Sequence, residues 1–408
     1  MRAAKHPDST LLKQVACPNC WRTFHPAEVQ FVAESHDLRG DPVLGPTEQL
    51  RFRAMRFDPA GNALDPHEGR CHRIACPACH LEMPRATLEV TQLPISVVGS
   101  PGSGKTNLLA AATWRLRREG GRYGLEFLDA EPGFNEPLHR AESRLFAQAD
   151  PDADVTLAKT DVGGAELYHT VRVGGQREML PRPGFFRLRR TDGDGQSMVV
   201  LYDNAGEHFL PGADATERPA TRHLERSAAV VIVFDPLQDL RFRGRHAPVD
   251  TAASDSHERQ ELILGEAIAR MRRLRLLDPS APVSVPLVIA LTKADAWGNA
   301  VLGPGWGTIA DAATPAAARY ASAVWLREAD ARCRAAITEA SPEFVNALDA
   351  LSRQVRFVPC SALGCSPAVR PDGRRVIAAG RIRPQLPEMP LLVAAALASP
   401  GLLPEIAG

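Results

Sequence analysis

Five runs of this chain are apolar almost throughout and stop abruptly at polar or glycine-rich residues: Ile95–Val98, Met198–Tyr202, Ala228–Phe234, Pro286–Leu291 and Val355–Pro359. Runs of this length without polar alternation read as strands covered on both faces, the pattern of a parallel sheet. Helical spacing fills the gaps between them. Asn107–Arg118 carries Leu108, Leu109, Ala111, Ala112 and Leu116 with no proline, and Glu258–Leu276 sets Leu262, Ile263, Ile268, Met271 and Leu274 on one face. Further helices are expected over Asn135–Gln148, Ala316–Ala340 and Glu343–Leu351, and further strands near Tyr123–Leu128, Leu167–Val173 and Phe185–Arg189. Met389–Leu403, rich in alanine, fits a closing helix that packs beside the first strand. Alternation of this kind predicts an α/β fold with a doubly wound, mostly parallel sheet.

The residues directly after the first apolar run sharpen the picture. Gly99, Ser100, Pro101, Gly102, Ser103, Gly104, Lys105 and Thr106 spell G-x-x-x-x-G-K-[ST], with Asn107 opening the helical stretch. A glycine-rich turn between strand and helix curls backbone N–H groups around a phosphate, and the helix N-terminus adds its partial positive charge. This is a P-loop NTPase arrangement in which Lys105 reaches the β/γ oxygens and the Thr106 hydroxyl ligates Mg²⁺.

Three later strand ends narrow the nucleotide. Met198–Tyr202 runs into Asp203-Asn204-Ala205-Gly206-Glu207. A carboxylate there can hold the hydration shell of Mg²⁺, and the Gly206 N–H can approach a γ-phosphate. Pro286–Leu291 runs into Thr292-Lys293-Ala294-Asp295. The Asp295 carboxylate can accept two hydrogen bonds from the N1 and N2 edge of guanine, a pair that adenine does not offer. Val355–Pro359 leads into Cys360, Ser361, Ala362 and Leu363, whose backbone can touch guanine O6.

GSPGSGKT, DNAGE, TKAD and SAL, in that order and each after a strand, resemble the motifs of Ras-like GTPases of the translation-factor-related class. The resemblance covers about residues 94–399. Within that class the chain resembles the bacterial double-GTPase families encoded in conflict-system operons, through its front cysteine module, its long spacer before DxxG and its closing RIRPQLPEMPLLVAAAL segment. The resemblance implies GTP and GDP with Mg²⁺ as ligands, and a GTP-hydrolysing switch that works with a protein partner, either a second GTPase or an effector. The other reading is a nucleotide-dependent interaction module with negligible turnover.

The chain departs from that pattern in three places. Glu207 stands where many members carry a water-orienting glutamine; it cannot donate an amide N–H, so slow intrinsic hydrolysis is expected, and His208 follows one position late. Thr292 replaces the commoner asparagine, although its hydroxyl can still bridge toward the phosphate loop. The threonine that closes over Mg²⁺ and γ-phosphate is assigned to Thr160, with Thr156 and Thr170 as alternatives.

Residues 1–93 carry a separate signal. Cys17-Pro18-Asn19-Cys20 and Cys76-Pro77-Ala78-Cys79 are two C-P-x-C knuckles, the donor set of a tetrahedral Cys₄ zinc site. Residues 21–75 must loop out between them, with Phe31–Ala33 and Arg51–Phe57 as its strands. Cys71, His72 and His80 lie close enough in sequence to replace one ligand. This predicts a zinc-ribbon-like module over 1–93, and a GTPase domain over 94–408 with a helical insertion at about 297–354. Losing one of the four cysteines is then expected to loosen 1–93 and leave nucleotide binding mostly intact.

Charge adds only limits. The 408 residues hold 48 basic and 48 acidic side chains, and residues 1–93 balance as well, so the module lacks the basic footprint that supplies most nucleic-acid affinity. Arginines cluster over 172–190 and 370–383, either on solvated strand faces or on a surface for a partner or nucleotide. No stretch reaches the length and apolarity of a membrane span. Nothing resembles a secretory signal, and Cys333, Cys360 and Cys365 look unpaired, which points to the reducing cytoplasm.

Overall fold

The computed structural model describes residues 11–156, 168–173, 176–193, 195–203, 222–247, 260–274, 282–306, 323–371, 374–403 and 406. Its centre is one seven-stranded sheet, whose strands are β1 (Gln92–Gly99), β2 (Leu125–Asp129), β3 (Gly184–Arg190), β4 (Gln196–Asp203), β5 (Ala229–Phe234), β6 (Leu287–Leu291) and β7 (Val355–Pro359). They lie in the order β2-β3-β4-β1-β5-β6-β7. From β4 to β7 every pairing is parallel. The β2–β3 and β3–β4 pairings are antiparallel, so the mostly parallel sheet carries a reversed strand near one edge. All five continuous apolar runs fall on the parallel strands, and β5 and β6 are buried at every position. That mixed α/β sheet fits a P-loop NTPase.

Among the described residues, the helices are α1 (Lys105–Glu119), α2 (Glu136–Phe146), α3 (His223–Arg226), α4 (Leu240–His246), α5 (Gln260–Leu274), α6 (Ala294–Leu302), α7 (Ala323–Ala340), α8 (Pro342–Leu351) and α9 (Met389–Ala398). Leu116 of α1 and Leu391, Leu392 and Ala395 of α9 pack on Ile95, Phe127, Phe186, Val199 and Leu201 of the sheet. Among the described residues, no helix is long and apolar enough to cross a membrane. Apolar on all sides, α9 has no pattern to fix its rotation. Glu388, just before it, supplies the fix: buried completely, its Oε1 accepts from Tyr123 Oη at 2.6 Å and faces Arg115 Nε of α1 at 3.4 Å. Within the stretch expected as an insertion, α7 and α8 pack in the same large core, with Phe344 of α8 at 4.4 Å (ring centroids) from Phe234 of β5. Residues 307–322, which include the expected start of α7, lie outside the described residues.

The N-terminal segment is built from short pairings. Gln30–Val32 joins Arg51–Phe52 on one side and Ile74–Ala75 on the other. The strand expected over Arg51–Phe57 is shorter than its pattern, because Arg53, Met55 and Arg56 face solvent with no ladder partner beyond an isolated bridge at Phe57. Its core is not its own. Val15, Cys17, Trp21, Phe24, Leu81 and Met83 share one apolar cluster with Phe185 of β3 and Met198, Val200 and Tyr202 of β4. Alternate residues of β4 therefore face two different layers: Val199 and Leu201 meet the helices, while Met198, Val200 and Tyr202 meet the cysteine segment.

Several arginines of the two clusters pair with nearby carboxylates. Arg189 pairs with Glu126 across β2 and β3, Arg190 with Asp192, and Arg370 with Asp154. Exposed pairs of this kind contribute about 0–1 kcal/mol each.

Candidate functional site

Because five strands run in parallel, the ends that carry the motifs emerge along one edge of the sheet. The first turn is the tightest. A Cβ on Gly99 would lie 2.4 Å from the Val233 carbonyl oxygen of β5, so only glycine fits under that strand. Gly104, at φ +92°, turns the chain in the left-handed region directly before α1. Within the loop, Ser103 Oγ donates to Ser100 O at 2.8 Å. Lys105 is buried, and its Nζ donates to Gly99 O and Ser100 O, both at 2.9 Å. Its ammonium thus sits in the mouth of the loop on neutral carbonyls, and a charged oxyanion makes a stronger acceptor. Pro101, Gly102 and Asn107 complete the turn and the start of α1. A Gly99→Ala chain is expected to lose about 1–3 kcal/mol of stability by overpacking, read as a lowered thermal midpoint; an unchanged midpoint would show that β5 yields.

Thr106 Oγ1 donates to Asp203 Oδ2 at 3.1 Å, so the hydroxyl after the lysine and the carboxylate ending β4 lie within reach of one cation. Thr292 Oγ1 donates to Ser103 O at 3.1 Å and to Phe234 O at 3.2 Å, tying the end of β6 to the loop. Lys293 takes a left-handed backbone (φ +57°) and places its Nζ 2.5 Å from Asp235 Oδ2. Asp295 opens the first turn of α6. Burial pushes its carboxyl above the usual carboxylate range, against the lowering hydrogen bond from Ser361 Oγ at 2.5 Å. Ser361 in turn accepts from Gly364 N at 2.9 Å, and Ala362 and Leu363 lie within this turn. Lys105, Thr106, Asp203, Thr292, Asp295 and Ser361 therefore gather at one edge. Thr160, Gly206, Glu207 and His208 lie outside the described residues. The alternatives to Thr160 are strand residues: Thr156 pairs with Val376 and Thr170 with Met179.

One supporting network leaves little trace in the sequence. Asp235, fully buried at the end of β5, donates its backbone N–H to Gln260 Oε1 and accepts from Gln260 Nε2 through its carbonyl, both at 2.9 Å. Ser100 Oγ also reaches Gln260 Oε1, at 3.4 Å. A lone acidic residue closing an otherwise apolar strand is the available signal for Asp235. Gln260, on α5, leaves none.

The second constellation is the four cysteines. Cys17 Sγ lies 3.8 Å from Cys79 Sγ and Cys20 Sγ 3.8 Å from Cys76 Sγ, and all four sulfurs fall within 4.8 Å of one another. A tetrahedron with Zn–S bonds of about 2.3 Å has edges of about 3.8 Å, so the donor set fits zinc in both chemistry and size. Backbone N–H groups of Asn19 and Cys20 point at Cys17 Sγ (3.4 and 3.5 Å), and that of Ala78 points at Cys76 Sγ (3.3 Å). The nearby alternatives stand outside the cluster: His80 Nδ1 pairs with Asp41 Oδ2 at 2.7 Å, the Cys71 thiol donates to Gly69 O, and His72 faces solvent. None of the eight cysteines is in a disulfide.

Comparison with known proteins gives one firm result. No curated protein matches the chain. Among solved structures, the crystal structure of a mutation variant of SsGBP aligns at 11% identity and a TM-score of 0.22, over 66% of this chain and 51% of that one. This chain thus spans about half of the solved chain, and a superposition that loose carries no argument. The sequence model of Double-GTPase 2, in contrast, matches residues 93–341, more than half of the chain and the stretch that holds the phosphate loop, Asp203 and Asp295. With that match over a mixed α/β sheet whose strand ends gather those residues, the chain belongs to the Double-GTPase 2 family.

Proposed function

We propose that the protein binds GTP and hydrolyses it slowly, as a molecular switch whose turnover depends on a protein partner, a second GTPase or an effector, in a bacterial defence or conflict setting. Family membership supports GTP binding and hydrolysis in general. The observation that carries the finer reading is the convergence of Lys105, the Thr106–Asp203 pair and the Asp295–Ser361 pair on one sheet edge. Lys105 neutralises β/γ-phosphate charge, and the loop N–H groups cradle the phosphates. Thr106 and Asp203 are the residues that hold Mg²⁺, with Thr160 as the closing threonine. Bound there, the ion would supply charge stabilisation to the phosphates.

Asp295 selects the base, and the Ser361 hydroxyl holds its carboxylate in place. Gly206 offers its N–H to the γ-phosphate, and Glu207 or His208 orients water. Without an amide donor at 207, hydrolysis draws on a partner's arginine. Residues 1–93 form a zinc-bound module and 94–408 the GTPase domain, in the cytoplasm.

Single-turnover assays with GTP and ATP on the purified chain test this reading. GTP is expected to bind well above ATP and to be hydrolysed slowly. Asp295→Asn, whose side-chain oxygen still accepts from Ser361, should weaken GTP by about 1.5–3 kcal/mol and shift preference toward xanthine nucleotides. Equal affinity for ATP and GTP in the wild type sinks the guanine assignment. A rate that stays undetectable with every candidate partner favours the interaction-module reading, which Glu207 also suits.

A further inference from the structure

The last two residues of β4 run past the end of its ladder with β3. Pairing with β3 ends at Gly184 opposite Leu201, while β1 continues alongside, with Ser96 opposite Tyr202 and Val97 opposite Asp203. At Tyr202 a restraint comes from the cysteine segment. Tyr202 Oη donates to the carbonyl of Pro18, inside the first C-P-x-C knuckle, at 2.5 Å. Its ring stacks on His223 (centroids 4.9 Å, planes 13° apart) and lies 6.1 Å from Trp21, the residue after that knuckle. His223 is itself buried, and its Nδ1 lies 2.5 Å from Ser96 Oγ on β1.

Apolar groups would fill such a core without the cost of burying three polar side chains. What this arrangement adds is direction. Side chains alternate along a strand, so fixing Tyr202 on the module side fixes Asp203 on the opposite side, toward Thr106.

We propose that Tyr202 is a positioning residue for Asp203, anchored by the first cysteine knuckle, so that the knuckle sets the Mg²⁺ affinity of the nucleotide site. This rests on the reading of Thr106 and Asp203 as the Mg²⁺ holders. The chain couples its two constellations through one hydroxyl.

Tyr202→Phe keeps the ring and removes only the bond to Pro18. The full-length variant is titrated with Mg²⁺ against a fluorescent GDP analogue, with zinc content and thermal midpoint measured alongside. GDP affinity in the presence of EDTA should match the wild type, zinc should stay at the wild-type level, and the Mg²⁺ concentration for half-maximal tightening should rise about two- to tenfold, the loss of one hydrogen bond. Trp21→Phe, which loosens the same contact from the knuckle side, should move the Mg²⁺ midpoint in the same direction and serves if the first variant does not fold. An unmoved Mg²⁺ midpoint in the folded variant overturns the proposal. So does an equal loss of affinity with and without Mg²⁺, which would make Tyr202 a packing residue only. A wild-type chain whose GDP affinity ignores Mg²⁺, or that binds no GDP, overturns the nucleotide-site reading instead, and is seen before any variant is made.

Discussion

Replacing Lys105 with alanine is expected to weaken GTP binding about ten- to a hundredfold, the effect of losing a charge-assisted contact worth about 1.5–3 kcal/mol. The side chain is buried at the mouth of the loop, and its ammonium rests on two carbonyls, Gly99 O and Ser100 O, at 2.9 Å each. A phosphate oxygen replaces those neutral acceptors with a charged one, so the lysine gains more from the ligand than it gives up. Alanine leaves the carbonyls without that donor, but it is the best helix former at the first position of α1, so the fold should persist. Calorimetric titration with GTP, beside a thermal melt, separates the two effects. If Lys105→Ala binds GTP as tightly as the wild type with an unchanged melt, this glycine turn is a connector and not a phosphate cradle.

The sheet was legible in the sequence where both faces of a strand are buried by any layer at all. Ala229–Phe234 and Leu287–Leu291 admit no polar side chain, and these two runs match their strands to within one residue at each end, whereas Gln92–Gly99 and Gln196–Asp203 extend past their apolar runs. What the same string cannot say is which layer does the burying. In Met198–Tyr202 the apolar residues look equivalent, yet alternate ones meet helices on one side and the cysteine segment on the other. Burial has a magnitude and no label for its partner. Strand direction was equally hidden, since the antiparallel β3 carries no residue that a parallel neighbour would refuse.

At the candidate site, the local features could be read: a glycine loop, a carboxylate at a strand end, paired knuckles. The non-local ones could not. Gln260 reaches Asp235, and Tyr202 reaches Pro18 across 184 positions, through hydrogen bonds that no spacing announces. The four cysteines fall between these cases. The C-P-x-C repeats named all four sulfurs that gather in space, whereas His80 proved to serve Asp41.

The shared core changes what breaking the four-cysteine cluster should do. With Cys76→Ser, elemental analysis is expected to fall from about one zinc per chain to none, since three thiolates and a hydroxyl no longer make a closed tetrahedral site. On sequence alone, the damage should stay within residues 1–93. The structure argues for a wider effect. Phe185, Met198, Val200 and Tyr202 of the central sheet are buried against Val15, Cys17, Trp21 and Met83 of the cysteine segment. Exposing four large apolar side chains costs about 1.5–3 kcal/mol each, a total comparable to the whole stability of a typical domain, about 5–15 kcal/mol. The variant should therefore melt well below the wild type in a single transition and aggregate on concentration, and nucleotide affinity should decline with it. Thermal denaturation followed by light scattering, with GTP affinity measured on the soluble fraction, checks this. A zinc-free Cys76→Ser chain that melts at the wild-type temperature and binds GTP normally would restore the view of two independent parts, because it would mean that the face of β3 and β4 stays covered without the metal.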